Sequence, residues 1–161
     1  MTTKADYTAE EWTGLVRAPI LAGGYVVVAD MSTFGMVGEM RGLYSAISEH
    51  PVPDAAADLI GAVVTEIKAS DQSNDRLPMP EVKNSATAEA QLLHQLSLDL
   101  EALERKAGQA ESVAYKEWLA GLAEATAEAG KEGGLLGIGA VRVSDKERDA
   151  LVRLRSELGL S

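Results

Sequence analysis

Residues Ala86 to Ala107 place Leu93, Leu96, Leu100 and Leu103 at a 3-4-3 spacing. That spacing stacks four leucines into one seam along a helix, and such a seam is stable only against another helix. A chain with this segment therefore has to supply partner helices, and the remaining text does so. Thr8-Ala9-Glu10-Glu11 has the form of a capping box, in which Thr8 accepts from the amide three residues on and Glu11 reaches back. The helix it opens carries Trp12, Leu15 and Val16 inward. Pro19 ends that helix, kinks it, or opens the next, because it cannot donate a backbone hydrogen bond. Ile20 to Ala29 reads as a buried helix, with Gly23 and Gly24 permitting close approach of a neighbour.

Further helices are expected over Met36–Ile47, from Pro53 to about Lys68, from about Ser112 to Ala129, and after Ser144. His50-Pro51-Val52-Pro53 interrupts the first two. Ser144-Asp145-Lys146-Glu147 is a second capping box, and Gly159 suits the left-handed position that closes the last helix. Polar residues and two prolines fill a linker at 69–83. The expected fold is an all-α compact bundle of about six or seven helices. It forms a single domain over 1–161, with 1–68 and 84–161 as candidate pseudo-repeated halves. Between the last two helices, Gly130 to Gly139 holds five glycines in ten residues. Leu135, Leu136, Ile138, Val141 and Val143 in and after it are expected to pack inward between the halves.

Composition excludes several functions. Alanine and leucine dominate and aromatics are 4%, which favours helices packed through small residues over sheet. The net charge of −10 opposes nucleic acid and anionic membranes, and keeps the chain soluble or suits a cationic partner. The absence of cysteine removes disulfides and thiolate chemistry and fits a reducing compartment. The N-terminal text is polar, without the apolar core of a signal peptide, and the apolar run Ala18 to Ala29 is too short to cross a bilayer. A cytoplasmic protein with no membrane span is expected.

One layout occurs twice. Glu11-Trp12 leads through small apolar residues to Ala29-Asp30, a glycine-bearing break, Glu39 and a helix; Glu117-Trp118 leads through alanines to Lys131-Glu132, a break, Glu147 and a helix. Over Ala22–Leu43 and Ala125–Leu154 this layout resembles the TerB-like family associated with tellurite resistance. The resemblance implies an all-helical fold with an internal repeat and acidic turn residues that bind metal. The family's Ala-Asp-Gly turn is here Ala29-Asp30-Met31 and Lys131-Glu132-Gly133. Lys131 through Ser144 also resembles a segment shared by a group of small uncharacterised bacterial helical proteins, which implies a shared fold and no chemistry.

Catalytic constellations are sparse. The two histidines, His50 in a turn and His94 beside the leucine seam, have structural explanations, and no Gly-x-Ser-x-Gly elbow or Glu-x-x-His pair occurs. The glycine stretch lacks the lysine of a phosphate loop and follows a helix rather than a strand. Asp30, Glu39, Glu132 and Asp145 are the candidate ligands for a hard cation, Ca²⁺ or Mg²⁺; the competing explanation is helix capping and dipole charge. The expected function is non-enzymatic, needs no cofactor, and works through self-assembly into a homo-oligomer or through a protein partner. The alternative is a stress or metalloid-response protein that binds a cation through the acidic turns.

If the glycine stretch packs inward, replacing Leu136 and Ile138 together by Ser unfolds the protein, since each buried aliphatic is worth roughly 1.5–3 kcal/mol. Thermal melting monitored by circular dichroism checks this, and an unchanged transition would refute inward packing.

Overall fold

A computed structural model describes residues 1–29, 36–73, 77–81, 85–132 and 144–160. Among them are six α-helices and no strand: α1 (Ala9–Ala29), α2 (Met36–Glu49), α3 (Ala57–Ser73), α4 (Ser85–Lys106), α5 (Gln109–Glu132) and α6 (Asp145–Glu157). Short 3-10 turns at Lys4–Asp6 and Asp54–Ala56 precede α1 and α3. The all-α bundle expected from the leucine seam and the capping signals is the observed architecture.

The core is built around α1. Its buried residues, from Trp12 and Leu15 through Ala18, Leu21 and Tyr25 to Val27, cover all of the helix but one face, where Thr13, Arg17, Ile20, Gly24 and Val28 form a half-buried stripe. An apolar face this wide has to be enclosed, and α4 and α5 flank it while α6, α2 and α3 add further contacts. By length and composition it is the one described helix apolar enough to cross a membrane, but 61% of its most apolar window is buried in this protein. The apolar run Ala18–Ala29 is thus the second half of one longer core helix.

That continuity overturns two of the three expectations for Pro19, a helix end and a helix start, because α1 continues through it. A proline inside a helix lacks the N–H that would reach the carbonyl four residues back, here that of Leu15. The hydroxyl of Tyr115 on α5 takes that place, donating to the Leu15 oxygen at 2.7 Å in a fully buried position. The site of a lost backbone bond has become a tie between two helices.

Close approach of small residues sets the other crossings. A Cβ on Gly23 would lie 2.3 Å from Leu43 Cδ1, so α2 crosses α1 where only glycine fits. Gly24 has nothing within 4 Å and plays no such part. On α4 the buried stripe is Leu92, Leu96, Leu100 and Leu103, while Leu93 of the expected seam is only partly buried at its edge.

Both expected capping boxes form. Thr8 and Glu11 exchange bonds of 2.8 and 3.2 Å, Ser144 and Glu147 bonds of 2.6 and 3.2 Å. Gly159, at φ 70°, closes α6 with bonds from its own N–H to Ser156 and from Leu160 to Arg155. Helices α3 and α5 outrun their expected ends, so the linker loses its first residues to α3. Residues 133–143, with the glycine-rich expectation, lie outside the described set. One hydrophobic cluster takes residues from both 1–68 and 84–161, and the helix after each tryptophan-bearing helix packs chiefly on the other one, α2 on α5 and α6 on α1. Trp12 sits in the first turn of α1, whereas Trp118 lies well inside α5.

Tyr115→Phe is expected to lower stability by about 1–3 kcal/mol, the cost of a buried carbonyl left without a donor. In a Pro19→Ala background the restored N–H satisfies Leu15, and the same change should cost much less. Urea unfolding of the four proteins measures this; equal costs in both backgrounds would refute the substitution of one donor for the other.

Candidate functional site

Asp30 lies outside the described residues, as do the side chains of Glu39 in α2 and Glu132 at the end of α5. Asp145 opens α6 with its carboxylate 94% exposed, 3.1 Å from Arg148. Among the described residues no group of three or more His, Asp or Glu side chains is placed to hold a metal ion. Glu147, named with Asp145 as an acidic residue of this turn, is held in the second capping box. His50 follows α2, its N–H on the Ala46 carbonyl, and its ring lies against α5 where a Cβ on Gly121 would come 2.3 Å from Nε2. The helix-end position expected for His50 is observed, together with a packing role.

The polar groups that the structure does assemble flank α1 on two sides. On the α4 side, Asp99 projects from the core stripe toward Gly14, whose missing Cβ leaves room 3.2 Å from Asp99 Oδ1. Arg17, one turn further along α1, grips it with both prongs: Nε to Oδ2 at 2.8 Å and the second guanidinium nitrogen to Oδ1 at 2.6 Å. The side chains are 14% and 5% exposed. Gln95 donates to Oδ1 at 2.9 Å, and the remaining arm of Arg17 donates to the Pro78 carbonyl at 2.6 Å. The carboxylate holds the guanidinium pKa above its ordinary value. This bidentate pair fixes the α1–α4 crossing and straps the α3–α4 connection to α1. It floors a groove of about 350 Å³, whose walls include Leu98 and Ala102 and whose rim carries Glu10, Glu11 and Arg105.

Glu11 also accepts from Lys106 at 2.5 Å and Arg105 at 3.4 Å. The Lys106 bond, then that to the Thr8 amide, pull its pKa from 4.5 to about 2. A carboxyl depressed on folding stabilises the native state fully above about pH 4.5 and loses that contribution as pH falls toward 2. Lys106 further donates to the Asp6 carbonyl at 2.9 Å and lies 5.5 Å from the Tyr7 ring centre. The N-terminal segment is thereby pinned to α4. It is pinned to α5 as well, since the Thr2 amide forks onto both oxygens of buried Glu111 at 2.8 and 3.0 Å.

On the α3 side, Glu66 Oε2 accepts from Lys4 at 2.8 Å and from the Trp12 indole at 3.4 Å. The Lys4 ammonium stands 5.6 Å from the Trp12 ring centre, and its bond lowers the pKa of Glu66. A cavity of about 210 Å³ opens beside them, walled by Trp12, Val16, Leu77 and Pro78, with Thr13 and Ser70 also on its lining. Two buried groups, the Tyr25 hydroxyl and the Trp118 indole N–H, have no hydrogen-bond partner among the described residues.

None of these clusters was singled out from the sequence. A signal was present for one: Asp99 falls on the heptad stripe between Leu96 and Leu103, and Arg17 interrupts the apolar text of α1. A charge on each of two core faces calls for pairing. Comparison with known protein families, with curated proteins and with solved structures finds no match for this chain.

Asp99→Ala leaves Arg17 and Gln95 without their acceptor and is expected to cost about 3 kcal/mol, within the range for breaking a buried pair from one side. Guanidinium unfolding reads this directly, and a loss below about 0.5 kcal/mol, the size of an exposed pair, would show that the bridge does not hold the crossing.

Proposed function

We propose that the chain is a non-enzymatic helical interaction protein that self-associates through the α1–α4 groove. The observation that carries this is Leu98, a large aliphatic left 47% exposed on the wall of that groove. It stands among charges of both signs, Glu10 and Glu11 from α1 and Arg105 from α4. A patch with both signs on one rim is self-complementary under a twofold axis: the acid of one copy faces the base of the other. An apolar centre inside a charged rim is also the usual anatomy of a protein contact. The polar groups at the floor, Arg17 and Asp99, already satisfy each other, so the groove offers shape and Leu98 in preference to reactive groups. A cysteine-free, acidic chain of this kind suits the reducing cytoplasm.

The alternative is the cation or metalloid-response role that the TerB-like resemblance implies, with Asp30, Glu39, Glu132 and Asp145 as ligands for Ca²⁺ or Mg²⁺. The exposed Asp145 carboxylate favours it, since a cation could reach it. Titrating each metal into chelator-treated protein in a calorimeter tests this, and no heat at millimolar metal would end it.

For self-association, size-exclusion chromatography with light scattering over a concentration series should show a dimer. Leu98→Glu, which puts a charge at the centre of the contact, should return it to monomer with melting unchanged. A wild-type protein that stays monomeric at the highest concentration would rule the proposal out.

A further inference from the structure

We propose that the corner formed by Trp12 and Glu66 is a binding site for a small organic primary ammonium compound, with Lys4 as its built-in occupant. The corner lies on the opposite side of α1 from the Leu98 groove and does not depend on self-association. Three observations converge there. The first is that the site already binds an ammonium: Lys4 Nζ is 2.8 Å from Glu66 Oε2 and 5.6 Å from the Trp12 ring centre. Carboxylate and indole face together are the two groups that recognise an organic cation, one by charge-assisted hydrogen bonding and one through the ring quadrupole.

The second observation is that the carboxylate is aimed. The Trp12 indole N–H donates to the same Oε2 at 3.4 Å, so both described hydrogen bonds of Glu66 fall on one oxygen. Oε1 accepts from no described donor and remains for an incoming N–H. The third is the cavity beside it, about 210 Å³, with Trp12, Val16, Leu77 and Pro78 as an apolar wall and Glu66 at its edge. That volume is below the roughly 300 Å³ at which drug-sized pockets begin, which limits the guest to a short alkyl chain carrying one charge.

Lys4 sits on a short 3-10 turn with its side chain 58% exposed. An exposed ion pair and an exposed cation–π contact are each worth at most about 1 kcal/mol. Lys4 is therefore a weak occupant that a guest with its own apolar body can displace. Removing it should tighten ammonium binding by about tenfold, the equivalent of 1.4 kcal/mol.

The probe is n-butylammonium chloride, with 1-butanol as the uncharged counterpart, titrated into ¹⁵N-labelled protein at constant ionic strength. The chain has two tryptophans and therefore two indole N–H signals; that of Trp12 is the one displaced when Glu66→Gln alters its acceptor. In Lys4→Ala, butylammonium is expected to move the Trp12 signal saturably while the Trp118 signal stays fixed. Wild type should need about tenfold more, Glu66→Gln should abolish the effect, and butanol should produce none. A parallel titration with Nα-acetyl-lysine amide separates the sources: tighter binding of it points to a lysine presented by a peptide, and tighter binding of butylammonium to a free amine. The proposal is overturned if Lys4→Ala shows no saturable shift. It is equally overturned if the shift survives in Glu66→Gln, if butanol matches butylammonium, or if both indoles move together.

Discussion

The hydroxyl of Tyr115 on the carbonyl of Leu15 is the bond on which the packing of this protein turns. Pro19 makes it necessary by removing the N–H that α1 would have used. An unpaired carbonyl inside an apolar core is costly, and water cannot reach it. The donor therefore had to come from another helix, and its reach fixes how closely and in what register α5 lies on α1. Burial of the phenol raises its pKa well above the ordinary value, so it remains a donor at any physiological pH. The neighbouring Trp118 ring, 5.7 Å away and tilted, packs against Tyr115.

The same division of labour recurs around α1. Apolar side chains supply most of the stabilisation and little orientation, because hydrophobic burial is non-directional. Direction comes from a few polar ties between elements distant in sequence. Arg17 with Asp99 sets α1 on α4, and Glu111 with Thr2 sets the N-terminal segment on α5. Close contacts at glycines complete the frame, tight at Gly14 under Asp99 and tighter at Gly23 under Leu43 and Gly121 under His50.

The elements were legible in the sequence where local chemistry alone decides them. Thr8-x-x-Glu11 and Ser144-x-x-Glu147 cap as written because both partners lie within one turn. Gly159 ends α6 because the left-handed conformation it adopts suits few other residues. The continuation of α1 through Pro19 was not legible, for the opposite reason. Its tolerance in mid-helix depends on a hydroxyl 100 residues from the Leu15 carbonyl it serves, which no local rule contains. Of the metal set Asp30, Glu39, Glu132 and Asp145, only the Asp145 side chain is among those described; Arg17, Asp99, Glu66 and Glu111 are charges whose partners only the tertiary arrangement reveals. Leu93 and Leu92 show the finest grain of the problem: a one-residue rotation of the seam places one in the core and the other at its edge.

The separation between Leu15 and Tyr115 has a consequence in time. Protein synthesis adds about 5–20 residues per second. Helix α1 leaves the ribosome before α4 and α5, and the 100 residues from Leu15 to its hydrogen-bond donor take about 5–20 s to follow. Throughout that interval the nascent chain displays a 21-residue apolar helix whose neighbours have not all been made. To the cellular machinery that sorts emerging chains, α1 has during that interval the length and composition of a membrane segment, and only the arrival of α4 and α5 makes it a core.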